Sequence, residues 1–150
     1  EREVEQAILN RGADLSATLL KVGHHGSDTS TTYPFLREIM PEYAIISVGK
    51  GNSYGHPTDN NLSRLRDADV TVYRTDLNGD IFVTSDGQSV SISSDKSVSK
   101  DEIMTPGSSV PLRHLLHKSL SQSRMIRLQK AQIISSTRTR GNSTILLVAV

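Results

Sequence analysis

Three short β-prone apolar runs recur along the chain: Thr18-Leu19-Leu20-Lys21-Val22, Tyr43-Ala44-Ile45-Ile46-Ser47-Val48 and Val70-Thr71-Val72-Tyr73. Helix-forming stretches separate them. Buried strands divided by amphipathic helices call for parallel pairing through crossover connections, which constrains the fold more than any other feature here. Ahead of the first run, Val4, Ala7 and Ile8 fall at helical spacing and Asn10-Arg11-Gly12 supplies a stop, so a helix should end near Gly12. Ser30 or Thr31 can cap a second helix from around Pro34, carried by Phe35, Leu36, Ile39 and Met40 and stopped by Pro41. His56-Pro57-Thr58 leads into a third, with Leu62, Leu65 and Ala68 on its apolar positions and an end near Asp69. Beyond the third strand, Asn78-Gly79 marks a turn, and residues 80–84 and 89–92 form a hairpin joined at Asp86-Gly87. The order α-β-α-β-α-β-β-β predicts an α/β layered domain rather than an all-β barrel.

Charge divides the chain. Residues 1–96 hold 9 Lys and Arg against 14 Asp and Glu, net −5, whereas residues 97–150 hold 8 against 2, net +6. A domain boundary is therefore expected near Ser97, with the α/β unit before it and a Ser-rich basic tail of unassigned structure after it. With no cysteine, neither a disulfide framework nor thiolate-bound zinc is open to this chain, so any metal must rest on His and carboxylate ligands. Glu1-Arg2-Glu3-Val4-Glu5 is acidic and polar, unlike a secretory signal, and reads as the middle of a domain. The one sustained apolar run, Ile145 to Val150, is far shorter than the ~20 residues a membrane span needs.

Two loops carry the candidate chemistry. His24-His25-Gly26-Ser27 follows the first strand directly, which places imidazoles on a permissive backbone at the sheet edge where α/β proteins bind ligands. Neighbouring residues at a strand exit point in different directions. One imidazole can therefore ligate a metal while the other orients substrate or donates a proton. Alone, a His pair equally suits hydrogen bonding to the loop backbone. The second strand feeds Gly49-Lys50-Gly51-Asn52-Ser53-Tyr54-Gly55-His56-Pro57, a glycine loop presenting Asn52, Tyr54 and His56, whose bland reading is a turn and helix cap. If both crossovers are right-handed, the two loops lie on one sheet edge and His24 or His25 faces His56 across a cleft.

Leu20-Lys21-Val22-Gly23-His24-His25-Gly26-Ser27 resembles the Lys-Val-Gly-His-His-Gly-Ser signature of competence-type metallo-β-lactamase domains, those of the ComEC family and its soluble relatives. Ala44-Ile45-Ile46-Ser47-Val48-Gly49 with Asn52-Ser53-Tyr54-Gly55-His56-Pro57 resembles the family's later loop. Val72-Tyr73-Arg74-Thr75-Asp76 with Asn78-Gly79 resembles its closing strands, so the likeness runs from about Glu1 to Ile92. The resemblance implies the C-terminal half of a four-layer αββα sandwich with two divalent metal ions, zinc or manganese. An upstream His-x-His-x-Asp-His motif and a Gly-Asp expected just ahead of Glu1 would supply most ligands; the first does not occur in this chain, and the Gly79-Asp80 that does occur lies in the later turn, not at that place. By the same resemblance His24 is the retained metal ligand. His25, His56 and Asn52 take catalytic roles, and Ser27 and Tyr54 contact substrate.

The implied activity is phosphodiester hydrolysis of DNA during uptake in a bacterial protein, an inner-membrane uptake protein being one setting. The metal ions would activate water, so no protein nucleophile is required. His25 and His56 would protonate the leaving oxygen or steady developing charge. Another phosphodiester is an alternative substrate for soluble relatives. The competing reading is a non-catalytic scaffold or binding fragment, because a lone final His cannot hold a dinuclear site, and the fragment by itself is expected to be inactive. In the tail, a helix expected over Leu112–Leu128 would carry Arg113, Lys118, Arg124 and Arg127, with Lys130 just beyond it in the same basic cluster; a solvated charged face is favoured over a nucleic-acid or anionic-membrane contact. His114 and His117 read as surface residues, and the apolar terminus Thr144–Val150 as an aggregation hazard if exposed.

Overall fold

The structure is a computed structural model that describes residues 1–107 and the two-residue strand Ile145–Leu146. Helix α1 (Arg2–Leu9) precedes strand β1 (Leu19–Lys21), and a tight turn over Gly23–Gly26 follows. Helix α2 (Tyr33–Ile39), β2 (Tyr43–Ile46), α3 (Asp59–Asp67) and β3 (Thr71–Arg74) continue the alternation. A one-turn helix α4 (Thr75–Asn78) leads to the hairpin β4 (Ile81–Ser85) and β5 (Val90–Ser94), followed by a second short helix α5 (Lys100–Ile103). The last strand is β6 (Ile145–Leu146). The fold is mixed α/β: a parallel sheet of order β3-β2-β1-β6 and a separate antiparallel hairpin.

Period-2 alternation in the strands sorts the core into two layers. Leu20, Ala44 and Val72 are register neighbours and face one side, where they meet Phe35, Leu36 and Ile39 of α2 and Leu62 and Leu65 of α3. Leu19 and Ile45 face the other side and pack on Ile81 and Val83 of β4. Helices therefore cover one face and the hairpin the other, which is why these strands are apolar on both sides. At about 1.5–3 kcal/mol for each fully buried Leu, Ile or Phe, these two clusters dominate the favourable energy.

The three main helices form close to where the sequence places them, but two are held differently. In α1 the expected apolar face is not the buried one: Val4 is 41% exposed and Ala7 is exposed, whereas Glu5 is buried and Ile8 and Leu9 lean on the core. Glu5 turns inward because its carboxylate accepts the Thr31 N–H at 2.5 Å and the Thr32 N–H at 2.9 Å. That contact also replaces the expected Ser30 or Thr31 side-chain cap on α2, whose N-cap is Thr32 with no side-chain hydrogen bond. The helix ends at Ile39, two residues before Pro41, with Met40 between them in the left-handed region. For α3 the cap is Thr58, whose hydroxyl accepts the Asn61 N–H.

Packing continues past the change of charge at Ser97. Ile103 of α5 is buried in the helix-side core, with Val98 and Met104 against it. The guanidinium of Arg74, 2% exposed, donates to the carbonyls of Ile103 (2.8 Å) and Thr105 (2.5 Å) and forms a two-point contact with Asp76 (3.0 and 2.7 Å). Far beyond the hairpin, Ile145 and Leu146 pair with Leu19 and Leu20 and add a strand to the parallel sheet. A piece of the apolar terminus thus has a strand partner. The helix expected over residues 112–128, with His114 and His117, lies outside the described residues.

Candidate functional site

The site grows from the end of β1. After Val22 the chain makes a turn whose successive residues His24, His25 and Gly26 all lie in the left-handed region, with φ of 45°, 55° and 80°. Left-handed non-glycine residues are disfavoured by sterics, so surrounding bonds must hold the turn. The Ser27 N–H donates to the His24 carbonyl at 2.9 Å and closes it. From α3, Asn61 Nδ2 donates to the carbonyls of Ser27 and Ser30, both at 3.1 Å, and Arg64 donates to those of Asp28, Ser30 and Thr31 at 2.9–3.0 Å. Sequence reasoning missed Asn61, Arg64 and Glu5 as supports. Their side chains read as the polar faces of helices, and nothing local marks them as buried.

The second loop leaves β2 and is organised by Asn52. Its Nδ2 donates to the carbonyls of Gly49 (3.1 Å) and His56 (2.7 Å), and its Oδ1 accepts the N–H of Tyr54 (3.2 Å) and of His56 (3.0 Å). Loop and turn then join, since the Thr58 N–H donates to the Gly26 carbonyl at 2.9 Å. The strap after α5 closes on the same loop, with the Gly107 N–H on the Pro57 carbonyl at 2.8 Å.

This convergence gathers three imidazoles. The rings of His24 and His56 are 5.6 Å apart in an edge contact, and those of His24 and His25 are 6.4 Å apart. Tyr54, 79% exposed, stacks on His56 at 5.9 Å. Of the residues singled out from sequence, His24, His25, His56 and Tyr54 meet at one place. Asn52 stands behind His56 with its amide committed to loop backbone. Ser27 is 6% exposed and its hydroxyl contacts Thr29, so it braces the turn.

Each imidazole has a distinct environment. His24 Nδ1 lies 2.8 Å from Glu1 Oε1, which leaves Nε2 as the nitrogen free to ligate. Glu1 also accepts the Thr29 hydroxyl. That bond foremost holds the Glu1 carboxyl below its usual range; burial opposes it, and the hydrogen bond and charge of His24 and the charge of the N-terminus add to the lowering. His25 Nδ1 sits 2.5 Å from the Ser47 carbonyl; as a carbonyl only accepts, that nitrogen carries the proton and Nε2 is left free. His56 Nδ1 is buried without a hydrogen-bond partner among the described residues. Burial, and then the neighbouring charges of His24 and His25, push its pKa below the ordinary histidine value, with Glu1 partly opposing. His24, held by a carboxylate on its far nitrogen, fits a single metal ligand. Among the described residues no group of three or more His, Asp or Glu side chains is placed to hold an ion, so they do not by themselves fit a dinuclear centre.

No protein-family model matches the chain, and no solved structure matches it. Curated proteins do. Over 81 residues the chain is 46% identical to ComE operon protein 3 of Bacillus subtilis, covering 54% of this chain and 10% of that protein. Over 76 residues it is 41% identical to competence protein ComA of Neisseria gonorrhoeae, covering 50% and 11%. Recombination protein 2 of Haemophilus influenzae shares 38% identity over 65 residues, covering 43% and 8%. The chain is thus homologous over about half its length to ComEC-family competence proteins, and the match spans about a tenth of those relatives' length. No helix among the described residues is long and apolar enough to cross a membrane.

Proposed function

We propose that this chain is part of a metal-dependent hydrolase, a phosphodiesterase or nuclease that acts on DNA during uptake. The observation that carries the reading is the meeting of His24, His25 and His56 above one sheet edge, in a chain homologous to competence proteins. The order of layers, helices then parallel sheet then antiparallel hairpin, supports its being the α-β-β portion of an αββα metallo-β-lactamase sandwich.

In this reading His24 Nε2 would hold the metal, with Glu1 fixing the ring through Nδ1. Zinc or manganese, if bound with ligands from outside these residues, would supply an activated water and polarise the phosphodiester. His56 holds a proton loosely because burial disfavours its charged form, which suits delivery of that proton to a leaving oxygen. His25, oriented by the Ser47 carbonyl, aims its other nitrogen for a hydrogen bond to substrate. Tyr54, open to solvent and stacked on His56, gives a base or sugar an apolar surface to rest on.

A second reading, a non-catalytic scaffold, is favoured by one observation: the described residues offer no group of three ligands. Metal content and nuclease activity of the 150-residue chain and of a version extended upstream distinguish the two. We expect little metal and no cleavage in the shorter form, about two metal equivalents and cleavage in the longer one, and loss of cleavage there on His24→Ala. Cleavage by the 150-residue chain would refute the incomplete-site argument. An extended form that holds no metal would establish the scaffold.

A further inference from the structure

Strand β3 is the outer strand of the parallel sheet, with β2 on one side and no strand on the other among the described residues. The Thr71 N–H donates to the Glu42 carbonyl at 3.0 Å, and the Tyr43↔Thr71 and Ile45↔Tyr73 register makes Thr71 and Tyr73 the residues whose backbone groups face β2. Successive residues face opposite edges, so Val72 and Arg74 present N–H and C=O outward. The Arg74 N–H is taken by Asn78 Oδ1 at 2.8 Å. Among the described residues the N–H and C=O of Val72 have no partner. An unpaired donor and acceptor side by side on a strand edge form a template for another strand.

A cavity of about 420 Å³ opens along this edge, between β3 on one side and β5 and α5 on the other. Its apolar lining includes Ile92, Val98, Ile103 and Met104, and its charged lining is Lys96 and Lys100, with no carboxylate. Lys100 Nζ lies 4.0 Å from Asp69 Oδ1, but both side chains are open to solvent, so that pair competes little for the ammonium. The cavity contains none of His24, His25 and His56 and lies at the opposite edge of the sheet from β1 and β6.

We infer that this groove is a docking site for an extended acidic polypeptide segment, which adds beside β3 by pairing with the Val72 N–H and C=O and sets its carboxylates against Lys96 and Lys100. A peptide backbone offers acceptor and donor together, as this edge requires, whereas a small anion satisfies only the donor. Alternate side chains of an added strand point to opposite faces, so apolar residues enter the lining of the groove while acidic ones reach the lysines. The inference is independent of any hydrolytic activity.

The test uses the full 150-residue chain and a capped hexapeptide alternating valine and glutamate, titrated by amide NMR with hydrogen exchange. Controls are the valine–lysine peptide and two peptides N-methylated at alternate positions, one for each set of amides. The expected result is saturable binding with shifts centred on Val72, Lys96 and Lys100, slower exchange at the Val72 N–H, and loss of binding for one N-methylated peptide but not the other. The double variant K96E/K100E, checked for folding by circular dichroism, should bind roughly tenfold more weakly. Unchanged Val72 exchange at saturation would overturn the proposal, as would equal affinity for all the N-methylated forms. A concentration-dependent dimer that protects Val72 without peptide would assign the groove to a second copy and overturn it too.

Discussion

Gly26 and Pro57 lock the two histidine-bearing loops against each other. A β-carbon on Gly26 would lie 2.6 Å from Pro57 Cβ, closer than real β-carbons approach, and a tight 3.2 Å from Pro57 Cα, and the φ of +80° would strain it besides. Gly26→Ala should therefore cost about 1–3 kcal/mol through overpacking and backbone strain together. Gly12→Ala is the control: φ is +63° there, but nothing lies within 4 Å of the added carbon, so only the backbone cost of about 1 kcal/mol applies. Urea unfolding of both variants measures the difference; equal losses would show that the loop contact is loose.

His56 makes stability depend on pH. Its folded-state pKa is lowered from 6.5, first by burial and then by the charges of His24 and His25. A group depressed in the folded state contributes its full stability above the unfolded pKa, and that contribution is lost as pH falls through the folded value. The urea midpoint should accordingly drop between about pH 7 and pH 5, more steeply in the parent chain than in His56→Gln. Identical slopes would mean that another group governs the transition.

Asn52 is expected to act through the loop it organises. Asn52→Ala removes an amide whose Nδ2 donates two hydrogen bonds to loop backbone and whose Oδ1 accepts two from it, at a cost of about 1–3 kcal/mol. Asn52→Asp keeps the acceptors for Tyr54 and His56 but loses both donors, and should fall between the parent and the alanine variant. Thermal unfolding with NMR of the Tyr54 and His56 amides checks the order; an aspartate variant less stable than the alanine one would exclude it.

Arg74 should behave as a clamp on the segment that follows α5. Arg74→Met leaves the largely covered carboxylate of Asp76 without its partner and frees two backbone carbonyls, for an expected loss of about 3–5 kcal/mol. A chain ending at Lys96 should be about 2–5 kcal/mol less stable than one ending at Gly107, since it exposes the cavity that Ile103 fills. Denaturation of the two truncated chains gives the comparison. Equal stability would place the energetic boundary at the change of charge.

By itself the sequence determined strands β1 to β3, the three main helices, the hairpin and the two loops that bring histidines together. Those signals are local: apolar period, turn residues and caps depend on neighbours a few positions away. Only the tertiary structure decided that Glu5 turns inward to meet the Thr31 and Thr32 amides, that Asn61 and Arg64 hold a left-handed turn at His24 and His25, and that Ile145 and Leu146 lie beside β1. Each of these joins groups 26 or more residues apart. A buried donor or acceptor takes whichever partner chain closure brings within reach, and composition along one helix face carries no record of that choice.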